Sequence, residues 1–139
     1  MHMELAREHD GLRALMRDFR HLMDRARPQD MPEVARLRIA FSQSFRAHLA
    51  QEDTLVRDMQ RRSPAAETQQ VVRAHGRAMT ALFLRYSDHI KTWTPAQIAA
   101  DWAGYRRAVI DLQNGLYERM EWEEAHLHPL LAPPARRAA

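Results

Sequence analysis

The prolines of this 139-residue chain divide it into four stretches that contain no proline. The interruptions lie at Pro28 and Pro32, at Pro64, at Pro95, and from Pro129 onward. Proline ends or kinks a helix, because it lacks a backbone N–H and its ring clashes with the preceding turn. Each stretch is long enough for an ordinary helix, so the spacing predicts four helices with joints at the prolines.

Helix-start signals accompany three of these joints. Asp30, Ser63 and Thr94 each stand one or two residues before a proline, and such side chains cap the free N–H groups of a first helical turn. Strand signals are missing, because the chain has only 4 glycines and no persistent alternating run. Good helix formers such as Ala, Arg and Leu dominate instead. The predicted fold class is therefore all-α.

Apolar residues recur every three or four positions in each stretch, which places them on one face of a helix. In the first stretch this face reads Leu5, His9, Leu12, Met16, Phe19 and Met23. Helices with such faces and short joints pack as an up-down-up-down four-helix bundle around a common core. We expect residues 1–132 to form this bundle as one domain and residues 133–139 to form a short C-terminal tail.

Cysteine is absent from the sequence, which excludes disulfides and thiolate metal sites and leaves nitrogen and oxygen as the possible metal ligands. No apolar run approaches the ~18 residues that a membrane span needs. The first residues, MHMELAREHD, contain no apolar region of the kind found in signal peptides. We therefore expect a cytoplasmic protein without a membrane partner.

The positive charge of the chain is spread rather than concentrated. The formal net charge is +3, Lys91 is the sole lysine, and the arginines are scattered along the predicted helices. Nucleic-acid binding usually requires a basic stripe or a recognition motif, and the sequence contains neither. The composition therefore disfavours a nucleic-acid partner, and it indicates no particular protein partner.

Six polar or charged residues interrupt the apolar faces of the four predicted helices. They are His9, His48, Glu52, His75, Arg119 and Glu123. Burying such groups without partners costs several kcal/mol each. We therefore expect the six side chains to meet at one shared site.

Equal distances from the joints place His9, His48 and His75 at similar heights once the chain folds back on itself. The fourth helix fits less well, because the midpoint of His75 and Arg119 is Gln97, a few residues beyond the joint. This mismatch of about seven residues corresponds to ~10 Å at 1.5 Å per residue. Helix tilt or an overhanging start of the fourth helix must absorb it.

Imidazoles and carboxylates that converge between helices are the usual protein ligands for iron, manganese or zinc. His48 and Glu52 are four residues apart, which puts both groups on one helix face a single turn apart. A single His and Glu with this spacing also occur by chance on exposed helices. Its position within an apolar face, matched by His9 and His75 on two others, predicts a metal site.

The pattern resembles that of the hemerythrin-like (HHE) cation-binding domains, which have a His in the first and third helices and His-x-x-x-Glu in the second and fourth. The matching segments are REHDGLRALM, FRAHLAQEDTLV, VVRAHGRAM and RMEWEEAHLHPLL. The resemblance implies a hemerythrin-like bundle that holds two bridged iron ions and binds dioxygen or related small molecules. It further implies that His9 and His48 are terminal ligands of one metal, Glu52 and Glu123 are bridges, and His75 is a ligand of the other metal.

Arg119 departs from this pattern, because the family has a histidine four residues before the last glutamate. Arginine stays protonated and offers only hydrogen-bond donors, so it is not a normal metal ligand. Three arrangements remain open. They are one metal ion with Arg119 in place of the second cation, two metal ions with Arg119 displaced, and a metal-free core in which Arg119 pairs with the glutamates.

The histidines that lie outside the apolar faces or at their ends are expected at the surface. They are His2, His21, His126 and His128. Glu124 lies on another face than Glu123 and is expected at the rim of the site.

The sequence as a whole predicts a protein that binds non-heme iron, mononuclear or dinuclear, with manganese or zinc as alternatives. We expect such a centre to bind or sense a small ligand such as dioxygen, nitric oxide or peroxide. The alternative is a degenerate, metal-free bundle that acts as a protein-interaction module. The sequence does not separate a carrier from a sensor or an enzyme.

Overall fold

The computed structural model describes residues 2–25, 27–63 and 65–131, and these ranges are all-α, as predicted. Four long helices span His2–Arg25 (α1), Met31–Arg62 (α2), Ala66–Thr92 (α3) and Trp102–Trp122 (α5). Two short helices span Pro95–Ala100 (α4) and His128–Leu131 (α6). A 3-10 turn covers Pro28–Asp30, and a π-helical turn covers Glu123–Leu127. The predicted tail, residues 133–139, lies outside the described ranges.

The three predicted start signals have different outcomes. Thr94 caps α4, since its hydroxyl accepts a hydrogen bond from the N–H of Gln97 at 3.2 Å. Asp30 precedes α2, but its carboxylate accepts from the N–H of Arg27 at 2.9 Å instead of capping the helix. Ser63 ends α2, because its N–H donates to the Met59 carbonyl. The prediction that Ser63 starts the third helix is therefore wrong.

The predicted fourth helix forms in two parts. The short helix α4 ends at Ala100, and α5 then begins at Trp102 with Asp101 as its cap, whose side chain accepts from the N–H of Gly104 at 3.0 Å. The connection between α3 and α5 is thus residues 93–101, and its central residue is Gln97. This is the midpoint expected from His75 and Arg119, so α4 is the overhanging start that absorbs the mismatch.

Three apolar clusters follow one another along the helices. The first comprises Phe19, Leu22, Met23, Val34, Leu37, Ile98, Tyr105 and Val109. The second comprises Leu12, Met16, Phe45, Leu82, Leu112, Leu116 and Met120. The third comprises Leu5, Leu55, Val56, Met59, Leu127 and Leu131. Because α1 reaches these clusters in the order opposite to α2, the two helices are antiparallel.

The polar residues of the predicted site form a layer between the second and third clusters. On α1, His9 lies between Leu5 of the third cluster and Leu12 of the second. On α2, His48 and Glu52 follow Phe45 of the second cluster. Burial of apolar surface on both sides supplies the stability that holds this polar layer in place.

Candidate metal centre

All six predicted site residues lie close together in the structure. They come from α1 (His9), α2 (His48, Glu52), α3 (His75), α5 (Arg119) and the π-helical turn (Glu123). The two inner histidines and both glutamates are at most 3% exposed, and His75 is 8% exposed. The expectation that these side chains share one site agrees with this arrangement.

Two imidazoles and two carboxylates form the centre of the site. The Nε2 atom of His9 lies 3.1 Å from that of His48 and 3.1 Å from Oε1 of Glu123. The Nε2 atom of His48 lies 3.5 Å from Oε2 of Glu52. One ligand atom from each of His9, His48, Glu52 and Glu123 lies within 4.8 Å of the others, so these four residues could hold a metal ion.

The outer nitrogens of both histidines are held by carboxylates. Nδ1 of His9 donates to Glu124 at 2.6 Å, and Nδ1 of His48 donates to Glu8 at 2.7 Å. With a proton fixed on Nδ1, each imidazole can direct the lone pair of Nε2 inward. Histidines that bind metals are oriented in this way, by an acceptor on the ring nitrogen that faces away from the ion.

The charges of the metal-free site are balanced by a proton. Burial lowers the pKa of His48, but the nearby carboxylates of Glu123, Glu52 and Glu8 outweigh burial and raise this pKa to about 10. Burial raises the pKa of Glu52 and of Glu123, yet the adjacent histidines lower both below the usual range. A protonated His48 therefore supplies positive charge between two carboxylates, where a metal ion would supply it instead.

Arg119 points into the site and not to solvent. Its Nε donates to Glu123 at 3.1 Å, and its Nη2 donates to Nδ1 of His75 at 3.0 Å. The guanidinium also lies over the ring of Trp122, 4.1 Å from the ring centroid. Three partners therefore fix the position of this cation beside the candidate metal ligands.

His75 lies beside the four-residue group and outside it. Because a guanidinium has no acceptor, Nδ1 of His75 must accept the bond from Arg119. The ring proton is then on Nε2, which lies 3.2 Å from Oε1 of Glu52. In this tautomer His75 supports Glu52 and has no inward lone pair to offer a metal ion.

His128 is a site residue that the sequence prediction missed. It was expected at the surface, but it is 4% exposed and its Nε2 donates to Oε2 of Glu52 at 3.0 Å. The cause is the π-helical turn, in which the N–H of His128 bonds to the carbonyl of Glu123, five residues earlier. A regular helix with 3.6 residues per turn would place His128 on the side of the helix, at the surface. Because the turn is π-helical, the surface prediction is wrong.

A weak sequence signal for this turn exists. Pro129 follows His128, and a proline ring clashes with the carbonyl four residues earlier in a regular α-helix. That residue is Ala125, which lies within the π-helical turn. The π-helical turn therefore lies where the ring of Pro129 would clash with a regular α-helix.

His21 and His126 are exposed, as expected, and the side chain of His2 lies outside the described part of the structure. Glu124 lies at the rim, where it holds both His9 and Arg13.

Among the described residues, a groove and a cavity reach the polar layer. A groove of about 520 Å³ between α2 and α3 is lined in part by Glu52 and His75. A much smaller cavity of about 10 Å³ borders His48, Arg119 and Glu123. The candidate metal ligands can thus be approached from a surface groove and from within the core.

Comparisons with known proteins give no further assignment, because no protein family, curated protein or solved structure matches the sequence. No helix in the described ranges is long and apolar enough to span a membrane.

Proposed function

We propose that the chain is an up-down-up-down four-helix bundle of the hemerythrin-like class that binds one non-heme metal ion, iron, through His9, His48, Glu52 and Glu123. The observation that carries this proposal is the orientation of the two inner histidines. Both direct Nε2 toward two buried carboxylates, and both are held from outside by Glu124 or Glu8. A purely structural core has no need for this arrangement of acceptors.

The donor set fits the metal. Two imidazoles and two carboxylates suit iron, and they also suit manganese and zinc. Donor atoms ~2.0–2.2 Å from one ion lie up to ~4.4 Å apart. The four donor atoms lie within 4.8 Å of one another, so small side-chain adjustments bring them to bonding distance of a single ion.

The position of Arg119 favours a site with one metal ion over a site with two. The guanidinium bonds to Glu123 and to His75, two of the residues that the second ion of a dinuclear centre would use. One divalent ion brings the group of Glu52, Glu123 and Arg119 to a net charge of about +1, whereas a second ion would add to this buried charge. His75 and His128 then act by holding Glu52 in place.

A bound ion supplies an open coordination position for a small ligand such as dioxygen, nitric oxide or peroxide. The protein contributes the apolar surroundings that exclude bulk water and the fixed positive charge of Arg119. We infer a role in binding or sensing such a ligand, because no nucleophile stands among the residues of this site.

A metal-free interaction module is the second candidate. The observation that favours it is a set of exposed apolar side chains on α2 and α3. Ile39, Phe83 and Leu84 are 55–61% exposed, and Ile90 is 38% exposed. Surfaces of this kind mark protein contacts when they are contiguous.

Metal analysis decides between the two candidates. Protein purified without chelator or metal column should contain about one iron per chain by elemental analysis. His48→Ala and Glu52→Ala should each lose the metal while retaining helical circular dichroism, because the apolar clusters supply most of the stability. The exposed His21 provides a matched control, since His21→Ala should keep the metal. Unchanged metal content in both site variants would reject the assignment, and metal-free wild-type protein would favour the interaction module.

A further inference from the structure

A further cavity lies toward the end of the bundle that is away from the polar layer. It has a volume of about 50 Å³ and is lined by residues of all four long helices. Its apolar wall comes from the first and second clusters and includes Phe19, Val109 and Leu112. None of the four proposed metal ligands borders it. A molecule bound here would therefore not touch the metal centre.

This cavity, named the Tyr105 cavity after its most deeply buried polar residue, reaches from the surface into the core. Ile90 in its wall is 38% exposed, whereas Tyr105 is 0% exposed. Its volume of about 50 Å³ corresponds to roughly three to five water-sized groups, at ~10–15 Å³ for each. The cavity therefore fits a molecule with about this number of non-hydrogen atoms.

Among the described residues, the hydroxyl of Tyr105 is a fully buried group that has no hydrogen-bond partner. A buried donor without an acceptor is costly, so this hydroxyl is suited to bind a molecule that supplies an acceptor. Burial raises the pKa of Tyr105 to about 12, against the opposing charge of Arg38, so the hydroxyl keeps its proton. Arg38 and Tyr86, which act on this pKa, also line the cavity, which places the hydroxyl on that side of the ring.

Arg38 supplies a cation to the same cavity. Its guanidinium lies 5.8 Å from the centroid of the Tyr105 ring, and its Nη1 donates to the carbonyl of Trp93 at 2.8 Å. Arg36 and Arg57 on the same helix pair with carboxylates, whereas no carboxylate pairs with Arg38 in the described part of the chain. The remaining N–H groups of this held guanidinium can therefore donate to an anion.

His89 adds an uncharged ring to the cavity wall. It stacks on Tyr105, with the ring centroids 5.8 Å apart. Burial and the charges of Arg38 and Arg85 lower the pKa of His89 to about 4, so its imidazole is neutral at pH 7. The cavity thus combines one cation, one hydroxyl donor and a mainly apolar wall. A ligand that matches these features has a single negative charge, hydrogen-bond acceptors and a short hydrocarbon part.

We propose that the Tyr105 cavity is a binding site for short monocarboxylates such as acetate or propionate, with Arg38 and Tyr105 as the residues that bind the carboxylate. The carboxylate accepts a charge-assisted hydrogen bond from Arg38 and a second bond from the Tyr105 hydroxyl. The hydrocarbon part packs against apolar side chains such as Leu112. This site is additional to the proposed metal centre and does not depend on a bound metal ion.

An NMR titration with propionate tests the inference, with the ring resonances of His89 and Tyr105 as the reporters. In a buffer without carboxylates, these resonances should shift in a saturable way, with a dissociation constant below about 10 mM. Propionamide, the uncharged isostere, should bind at least about tenfold more weakly, because it gains no charge-assisted bond from Arg38. The absence of saturable shifts with propionate, or equal binding of propionamide, would overturn the inference.

Benzoate tests whether the ligand lies inside the cavity. This carboxylate has the same charge as propionate but about twice the number of non-hydrogen atoms that the cavity fits. It should therefore bind at least about tenfold more weakly than propionate. Equal binding of benzoate would place the ligand at the surface, outside the Tyr105 cavity, and would contradict the proposal.

Substitutions assign the two donors. Arg38→Met should weaken propionate binding about 10- to 100-fold. Arg46→Met is the matched control, because Arg46 is exposed on the same helix and does not line the cavity. Tyr105→Phe should weaken binding about tenfold and should raise the melting temperature of the ligand-free protein, because it removes an unpaired buried hydroxyl. A loss in Arg38→Met no greater than in Arg46→Met, or unchanged affinity in Tyr105→Phe, would reject the site.

The metal centre is the other place where a carboxylate could bind, because carboxylates are also ligands for iron. Metal-free and iron-loaded protein should bind propionate with affinities that agree within about threefold. Binding that occurs only in iron-loaded protein would assign the ligand to the metal ion and overturn the inference. Protein that binds propionate but no iron would instead reject the proposed metal site and support the Tyr105 cavity, so the two proposals fail in distinguishable ways.

Discussion

A guanidinium beside Glu123 acts as a fixed cation, because arginine stays protonated in proteins. In the metal-free protein Arg119 satisfies one oxygen of Glu123 and one nitrogen of His75. Both bonds keep these two residues away from a second metal ion. Under the proposed function, a single side chain therefore connects the number of bound ions with the stability of the metal-free protein.

Arg119→His tests this connection. The change removes a cation from the carboxylates and frees His75 to bind through its ring nitrogen, so iron should rise from about one to about two per chain. The metal-free variant should lose roughly 1–3 kcal/mol, because Glu123 and His75 lose a buried donor. Added iron should restore stability by mass action. Elemental analysis and thermal melting measure both effects, and if neither changes, Arg119 has no part in the site.

For individual residues, the sequence predicted the polar side chains that interrupt the apolar faces, and it did not predict their partners. His9, His48, Glu52 and Glu123 are identifiable because burial of a polar group without a partner is costly. The roles of Glu8 and Glu124 were not identifiable, since each lies beside an apolar face and reaches its histidine only through the packing of two helices. The tautomer of His75 likewise depends on the orientation of Arg119.

Among the structural elements, the π-helical turn at Glu123–Leu127 determines which residues of the last segment reach the site. A regular helix advances 100° per residue, and the extra residue in a π-turn rotates the following segment by this amount. His128 thereby moves from the side of the helix to the core, where it donates to Glu52. Such turns are rare and often mark functional sites.

Deletion of the exposed Ala125, combined with Pro129→Ala to remove the proline clash with a regular helix, separates the effect of the turn from that of the histidine. Removing one residue should convert the π-turn into an α-turn and leave α6 in its present orientation, so His128 should still reach Glu52. Iron affinity should then change less than about threefold. His128→Ala removes the donor itself and should lower iron affinity about 10- to 100-fold, as loss of outer-sphere partners usually does. If iron titrations instead show a larger loss of affinity for the deletion variant than for His128→Ala, the turn matters and His128 does not.

Helices were the most predictable elements, because proline positions and apolar periodicity act locally. The boundary at Thr94 was predictable from its capping side chain, and the division into α4 and α5 was detectable only as the offset of Gln97. Ser63 was misassigned, since a serine before a proline suits the end of one helix as well as the start of the next. The π-turn could not be predicted from a periodicity that assumes one helix type.

For the molecule as a whole, the polar layer is a small part of a largely apolar interior. Apolar clusters lie on both sides of it and join the four long helices. The fold should therefore persist without metal, and pH should affect stability mainly through the few buried titratable groups.

For the metal-free protein, these groups predict that the free energy of unfolding rises with pH in the acidic range and falls with pH in the alkaline range. The pKa of His48 is raised to about 10, so its contribution to stability is fully present below its unfolded pKa of ~6.5 and is lost as pH rises toward 10. The pKa values of Glu52 and Glu123 are lowered, so their contribution is present above ~4.3 and is lost as pH falls further. Burial and the nearby Arg38 and Arg85 lower the pKa of His89 to about 4, which reduces stability as pH falls from ~6.5.

Stability of the chelated protein should consequently be greatest near pH 6–6.5 and should decline above it by at most about 1.4 kcal/mol per pH unit. Iron-loaded protein should behave differently, because under the proposed function iron displaces the proton of His48 and binds more tightly as pH rises. Melting temperatures from pH 5 to pH 9, with and without iron, should therefore diverge progressively toward alkaline pH. His89→Leu should flatten only the acidic side of the chelated curve, and it serves as the matched control. Parallel curves across this range would show that iron does not compete with a proton at His48, which would remove His48 from the ligand set.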